Sequence, residues 1–155
     1  MRMTMAKTWI FGTLSALLSM KAPQAGLGQS VTPVGVWVDD AGDSRVEIYS
    51  CGPQELCGKL VWLRPAGDST ATTPVLDTRN PDSSKRKQPL LNKRILQGLL
   101  YDADDDRWED GEIYDPRNGR TYSCYLRVLS KNRLEVKGYI GFSFIGRSHY
   151  WTRVH

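Results

Sequence analysis

The sequence predicts an all-β protein, a small antiparallel up-and-down β-barrel of about eight strands. Three observations predict it. Apolar and polar residues alternate with period two in one run after another beyond residue 30, while helical periodicity is weak. Short turn signals rich in Gly, Asp, Asn and Pro separate these runs. Aromatic residues recur in the strand-like runs from first to last, and closing such a sheet on itself removes its exposed edges.

The first strand is the short apolar run Gly35 to Val38, after Pro33. The second, Arg45 to Tyr49, alternates and places Val46 and Ile48 on one face. The third is the apolar run from Lys59 to Leu63, which contains Trp62; Gly52 to Leu56 forms the turn before it. A long polar stretch follows, from Arg64 to Gln88, with Gly67, Pro74, Asn80 and Pro81. Loops of that length in compact domains carry function or move. Asn92 to Leu100 reads as strand, although Leu91, Ile95 and Leu99 also suit a helix that Gly98 would weaken.

Trp108 to Tyr114 is a strand interrupted at Asp110-Gly111, and Asp115 to Gly119 is a turn. Thr121 to Val128 alternates, with Tyr122, Cys124, Leu126 and Val128 sharing one face. Arg133 to Ile140 alternates again, with Leu134, Val136 and Ile140 pointing inward. Ser148 to Val154 closes the chain.

The segment before these strands has a different character. Arg2 and Lys7 precede Thr8 to Met20, which is 13 residues without a charge. A membrane span needs about 20 apolar residues. A basic start followed by a short apolar run is the pattern of a secretory signal peptide, here residues 1–25, with cleavage anywhere between 22 and 30. An N-terminal helix or a retained anchor are the alternatives. On this reading one β-barrel domain occupies 30–155, exported to a bacterial periplasm or secreted, with no stable membrane span after cleavage.

The signal reading changes the charge balance. The whole chain carries 21 bases against 17 acids, a formal net charge of +4. Arg2, Lys7 and Lys21 leave with the signal, so 18 bases face 17 acids in what remains. The triplet Lys85-Arg86-Lys87 is then a solvated face, and no nucleic-acid partner is expected.

Cys51 and Cys57 flank a five-residue turn at adjoining strand ends, within reach of a disulfide, and export would preserve one; a free pair of thiols or a metal site is the alternative, though two cysteines without nearby histidines make a poor zinc site. Cys124, on an apolar face, reads as a buried and inert thiol. His149 and His155 are the chain's two histidines, too few for a His-rich metal centre and poorly suited to a Ser-His-Asp triad. The run Asp102 to Asp106 resembles a calcium loop but has Arg107 and Ile113 where that loop needs Gly and Glu, so no metal or cofactor is expected. Aromatics lining a small barrel either fill it or enclose one small ligand. The loop Gly141 to Gly146 carries Phe142 and Phe144 and either folds inward or forms a portal.

Gly35-Val36-Trp37 near the start and Trp151-Thr152-Arg153 near the end resemble the lipocalin, or calycin, pattern. The resemblance implies Arg153 lying across Trp37 at the closed end of a barrel, both in structural roles. Over its whole length after residue 30 the chain is similar to a family of exported bacterial proteins catalogued as domain of unknown function 2147. The matching elements include Val46-Glu47-Ile48-Tyr49, Leu56-Cys57-Gly58, Asp77 with Asn80-Pro81, Ile95 to Gly98, Gly111 to Pro116, Gly119 to Tyr122, Gly138 to Gly141, and Gly146-Arg147. That likeness implies a lipocalin-like barrel and no assigned activity.

The leading expectation is therefore a non-enzymatic barrel that binds a small apolar or amphipathic ligand. Its candidate ligand-binding residues are Trp62, Asp77, Asn80, Trp108, Tyr114, Tyr122, Tyr139 and Phe142. An envelope protein-interaction module with a filled barrel would instead use Arg64 to Gln88 and Gly141 to Gly146 as contact surfaces. An enzyme would need Asp77, Asn80 and Asp115 to converge at the barrel mouth.

Overall fold

The computed structural model describes residues 31–65 and 74–155; the expected signal peptide lies outside them. Eight strands follow in order: β1 (Gly35–Val38), β2 (Ser44–Ser50), β3 (Glu55–Leu63), β4 (Arg94–Asp102), β5 (Arg107–Asp115), β6 (Arg120–Ser130), β7 (Arg133–Tyr139) and β8 (Gly146–Arg153). Each pairs antiparallel with the next, and β1 also pairs with β8 through Trp37↔Arg153, so the sheet closes into a barrel. Among the described residues the single helical turn is a 3-10 segment, Ser83–Lys85.

Alternation sets what points inward, except in β4, where Gly98 at φ 73° breaks the alternation and turns both Leu96 and Leu99 to the core. Val46, Ile48, Leu96, Leu99, Leu126, Leu134 and Val136 are almost wholly buried and form one core with Trp37 and Trp151. Three departures from the sequence expectation have local causes. β3 begins at Glu55 rather than after the turn, because Tyr49 pairs with Cys57 and Ser50 with Leu56. β5 runs through Asp110-Gly111 as one strand with a bulge, where Asp110 takes φ 61°. Ile140 does not face inward; β7 stops at Tyr139 and Gly141 turns the chain with φ 76°, leaving Ile140 exposed.

The two ends of the barrel differ. At one end, Trp37 is wholly buried and its indole N–H donates to the Pro33 carbonyl at 2.7 Å. The Arg153 guanidinium lies 4.2 Å from the Trp37 ring centroid. It also donates to the carbonyls of Lys131, Val34 and Thr32 at 2.8, 2.8 and 2.7 Å. One side chain thus ties the chain entry and the β6–β7 turn across the indole. Gly35 makes this approach feasible: with φ 136°, a side chain there would collide with the guanidinium. The β2–β3 hairpin at the same end holds the Cys51–Cys57 disulfide, with Cα atoms 5.7 Å apart.

A cavity at the open end of the barrel

The opposite end carries the β1–β2, β3–β4, β5–β6 and β7–β8 connections. A cavity of about 940 Å³ opens there. Its inner wall is apolar and comes from strand positions set by alternation: Val46, Leu60, Ile113, Val136 and Trp151. Gly138 leaves space beside Ile113 and Tyr122. Polar groups lie at the rim. Asp39, Asp40 and Asp43 come from the β1–β2 turn, Asp115, Arg117 and Asn118 from the β5–β6 turn, and Arg147 and His149 from β8. Most of these carboxylates already have partners. Asp39 accepts from the Asp43 backbone N–H and the Ser44 hydroxyl, Asp40 pairs with His149 at 3.0 Å, and Asp115 holds Arg117 and Asn118.

One wall is a strap from the β3–β4 connection. Leu76 bridges to Pro89, and the Leu90 N–H donates to the Val75 carbonyl, so the strap folds back on itself and turns Val75 and Leu90 to the cavity. Asp77 secures it. This side chain is wholly buried, and it accepts from the Tyr114 hydroxyl at 2.6 Å and the Asn80 amide at 2.6 Å. Lys93 lies 3.0 Å away. Burial alone would raise the Asp77 pKa, but the hydrogen bonds from Tyr114, Asn80 and Lys93 outweigh it and hold the carboxyl below its ordinary range. Burial, with the bond to Asp77, raises the Tyr114 phenol well above its usual value. Gly119, at φ 71°, lets the next turn pass the Arg79 carbonyl, which a Cβ there would strike.

The candidate residues divide by place. Tyr114, Tyr122 and Tyr139 border the cavity. Asp77 and Asn80 sit together behind Tyr114, as latch rather than lining. Asp115 is at the rim and does not meet them in one constellation: its carboxylate caps its own turn through the Arg117 N–H. Trp62 lies beneath Arg45 at 5.0 Å, Trp108 packs on Tyr101 at 4.8 Å, and Phe142 is exposed on the β7–β8 loop. Sequence reasoning passed over the aliphatic wall and the rim residues Arg147 and His149. Alternation carried the signal for Val46 and Val136, and the apolar run after Lys59 that for Leu60; aromaticity was the weaker guide to the lining.

Among the described residues no reactive nucleophile stands out in the barrel. Burial, with Glu112 nearby, pushes the Cys124 thiol up to about 12, so it stays protonated at neutral pH. Among the described residues one cluster has metal-type donors, Cys51, Glu55 and Cys57, and its two sulfurs are bonded to each other. An apolar volume with polar groups at its opening accepts a molecule with an apolar body and a polar end.

The barrel is similar to a solved structure described as protein HP1028 from the human pathogen Helicobacter pylori, belonging to the lipocalin family. The two share 18% identity and a TM-score of 0.67, over 81% of this chain and 84% of the other, which establishes a shared fold. No curated protein matches the chain. The model of a bacterial family matches residues 35–153, from the glycine before Trp37 to the arginine that covers it, and the protein therefore belongs to DUF2147, described as uncharacterized protein conserved in bacteria.

Proposed function

We propose that this protein is a non-enzymatic carrier or sensor that binds a small apolar or amphipathic ligand in the open end of its barrel. The observation that carries the reading is the cavity of about 940 Å³, with its aliphatic inner wall and polar rim. That volume falls within the usual range for pockets that enclose a small molecule. A filled barrel, as an interaction module would have, leaves no such space. The lipocalin-like fold is in keeping with ligand binding but does not by itself assign it.

Export is the second part of the proposal. The signal-like residues 1–25 and the Cys51–Cys57 disulfide both suit a protein working in the periplasm or outside the cell.

Two measurements test these readings. Solvent extraction and mass spectrometry of the purified protein should reveal a bound amphiphile, and an environment-sensitive fluorescent fatty-acid probe should bind and be displaced by it. An empty extract together with no probe binding would overturn the ligand reading. N-terminal sequencing of protein recovered from the cell envelope should begin between residues 23 and 31; an intact Met1 in the cytosolic fraction would overturn the export reading.

A further inference from the structure

The β7–β8 loop departs from the behaviour of the other turns. Ile140, Phe142, Phe144 and Ile145 are 72%, 68%, 76% and 60% exposed, four large apolar side chains within six consecutive residues. The two phenyl rings stack on each other at 5.5 Å rather than on the barrel. The backbone is a formed turn, closed by the Ile145 N–H donating to the Phe142 carbonyl at 3.0 Å. Scattered exposed apolar residues need no explanation, but a cluster on a projecting turn marks an interaction site.

We propose that this loop docks the barrel mouth onto an anionic lipid surface. Three observations favour a bilayer over a protein groove. First, the apolar groups sit on a convex hairpin tip and include an aromatic pair, the chemistry that partitions into a membrane interface. Second, the flanking charges complement anionic headgroups. Lys137 and Arg147 stand on either side of the loop, neither has a carboxylate partner among the described residues, and no Asp or Glu occurs from Val136 to His155. Among the rim carboxylates, Asp43 is paired with Arg64 and Asp115 with Arg117, and Asp40 is hydrogen-bonded to His149. Third, Ile140 and Ile145 border the cavity as well as the exposed patch. Seating the loop in lipid therefore brings the cavity mouth to the bilayer, so that an amphiphile passes between them without crossing water. This last consequence rests on the ligand reading above; the docking itself does not.

The test uses the full chain carrying Ser143→Cys, labelled with nitrobenzoxadiazole. Cys124 is buried and Cys51 and Cys57 are bonded, so the label reports on the loop alone. Vesicles of equal parts phosphatidylglycerol and phosphatidylcholine should shift the emission to the blue, and binding should weaken at least about tenfold on phosphatidylcholine alone. Adding Phe142→Ser and Phe144→Ser should cost at least about tenfold on the mixed vesicles while circular dichroism stays unchanged, because both rings are exposed. Emission that ignores both kinds of vesicle, or that responds equally in the double variant, overturns the proposal. So does a vesicle-free shift that tracks dimer formation in sedimentation, which would assign the patch to a second copy of the chain. Fatty-acid probe binding without vesicles separates the two readings: the double variant should retain it. Vesicle docking with no probe binding would remove the ligand reading and leave the docking intact.

Discussion

Arg153 does at one residue what a packed plug does in larger barrels. Its guanidinium covers the Trp37 indole and satisfies three carbonyls from two chain segments. Arg153→Lys keeps the charge but loses the planar fork, and should cost about 2–3 kcal/mol in urea unfolding. Asp77 is the corresponding residue at the open end. Its carboxyl titrates below its ordinary value of 3.8 in the fold. The unfolded chain therefore takes up that proton first as pH falls, so the stabilisation is complete above the ordinary value and lost progressively in acid below it. Asp77→Asn should destabilise the protein by about 3 kcal/mol at neutral pH and flatten that acid limb, as pH-dependent thermal unfolding would measure. Cys124 should fail to react with a thiol reagent in the folded protein and react once it is unfolded, since burial keeps the thiol protonated.

Among the elements, the strap from Pro74 to Lys93 is held by its Leu76↔Pro89 bridge, the Asp77 cluster, the buried Leu90, the backbone bonds that Leu60 makes with Asn92 and Lys93, and the close pass at Gly119. Gly119→Ala should push the strap from the β5–β6 turn and expose its amides, seen as faster hydrogen exchange around Asp77 with the barrel strands unaffected. The β2–β3 hairpin is stapled across a short loop, so reducing Cys51–Cys57 should cost about 2 kcal/mol and leave the barrel folded. The sequence made the strands legible because their alternation is local. It did not make the strap legible: the partners of Asp77 lie 37 residues away at Tyr114 and across the strap at Lys93, and no periodicity announces such a meeting.

For the molecule as a whole, the cavity is the property to test. Gly138 offers a site for filling it, because a Cβ added there meets Ile113 and Tyr122 at 3.7 Å, an ordinary contact distance, and points a longer side chain's start toward the cavity lining. Gly138→Leu should preserve stability within about 1 kcal/mol and weaken fluorescent-probe binding roughly tenfold. Were the signal-like segment removed, 18 bases would face 17 acids, and little net charge would be left to steer a charged partner. Electrostatics acts locally instead, at the rim pairs and on either side of the β7–β8 loop.

The barrel itself was written in the order of residues. Period-two alternation and turn residues are local signals, and local signals specify strands and their order; the placing of Arg153 over Trp37 was readable only through the resemblance to the lipocalin pattern. The cysteine pairing was legible in the same way, since Cys51 and Cys57 are close along the chain. That the interior is hollow at one end and plugged at the other emerged with the assembled fold alone. Volume is a balance among side chains from every strand from β2 to β8, and no single strand encodes it. The same holds for the aromatics: Tyr122 reaches the cavity, Trp62 an outer arginine and Phe142 the solvent, because barrel position rather than residue type sets each environment.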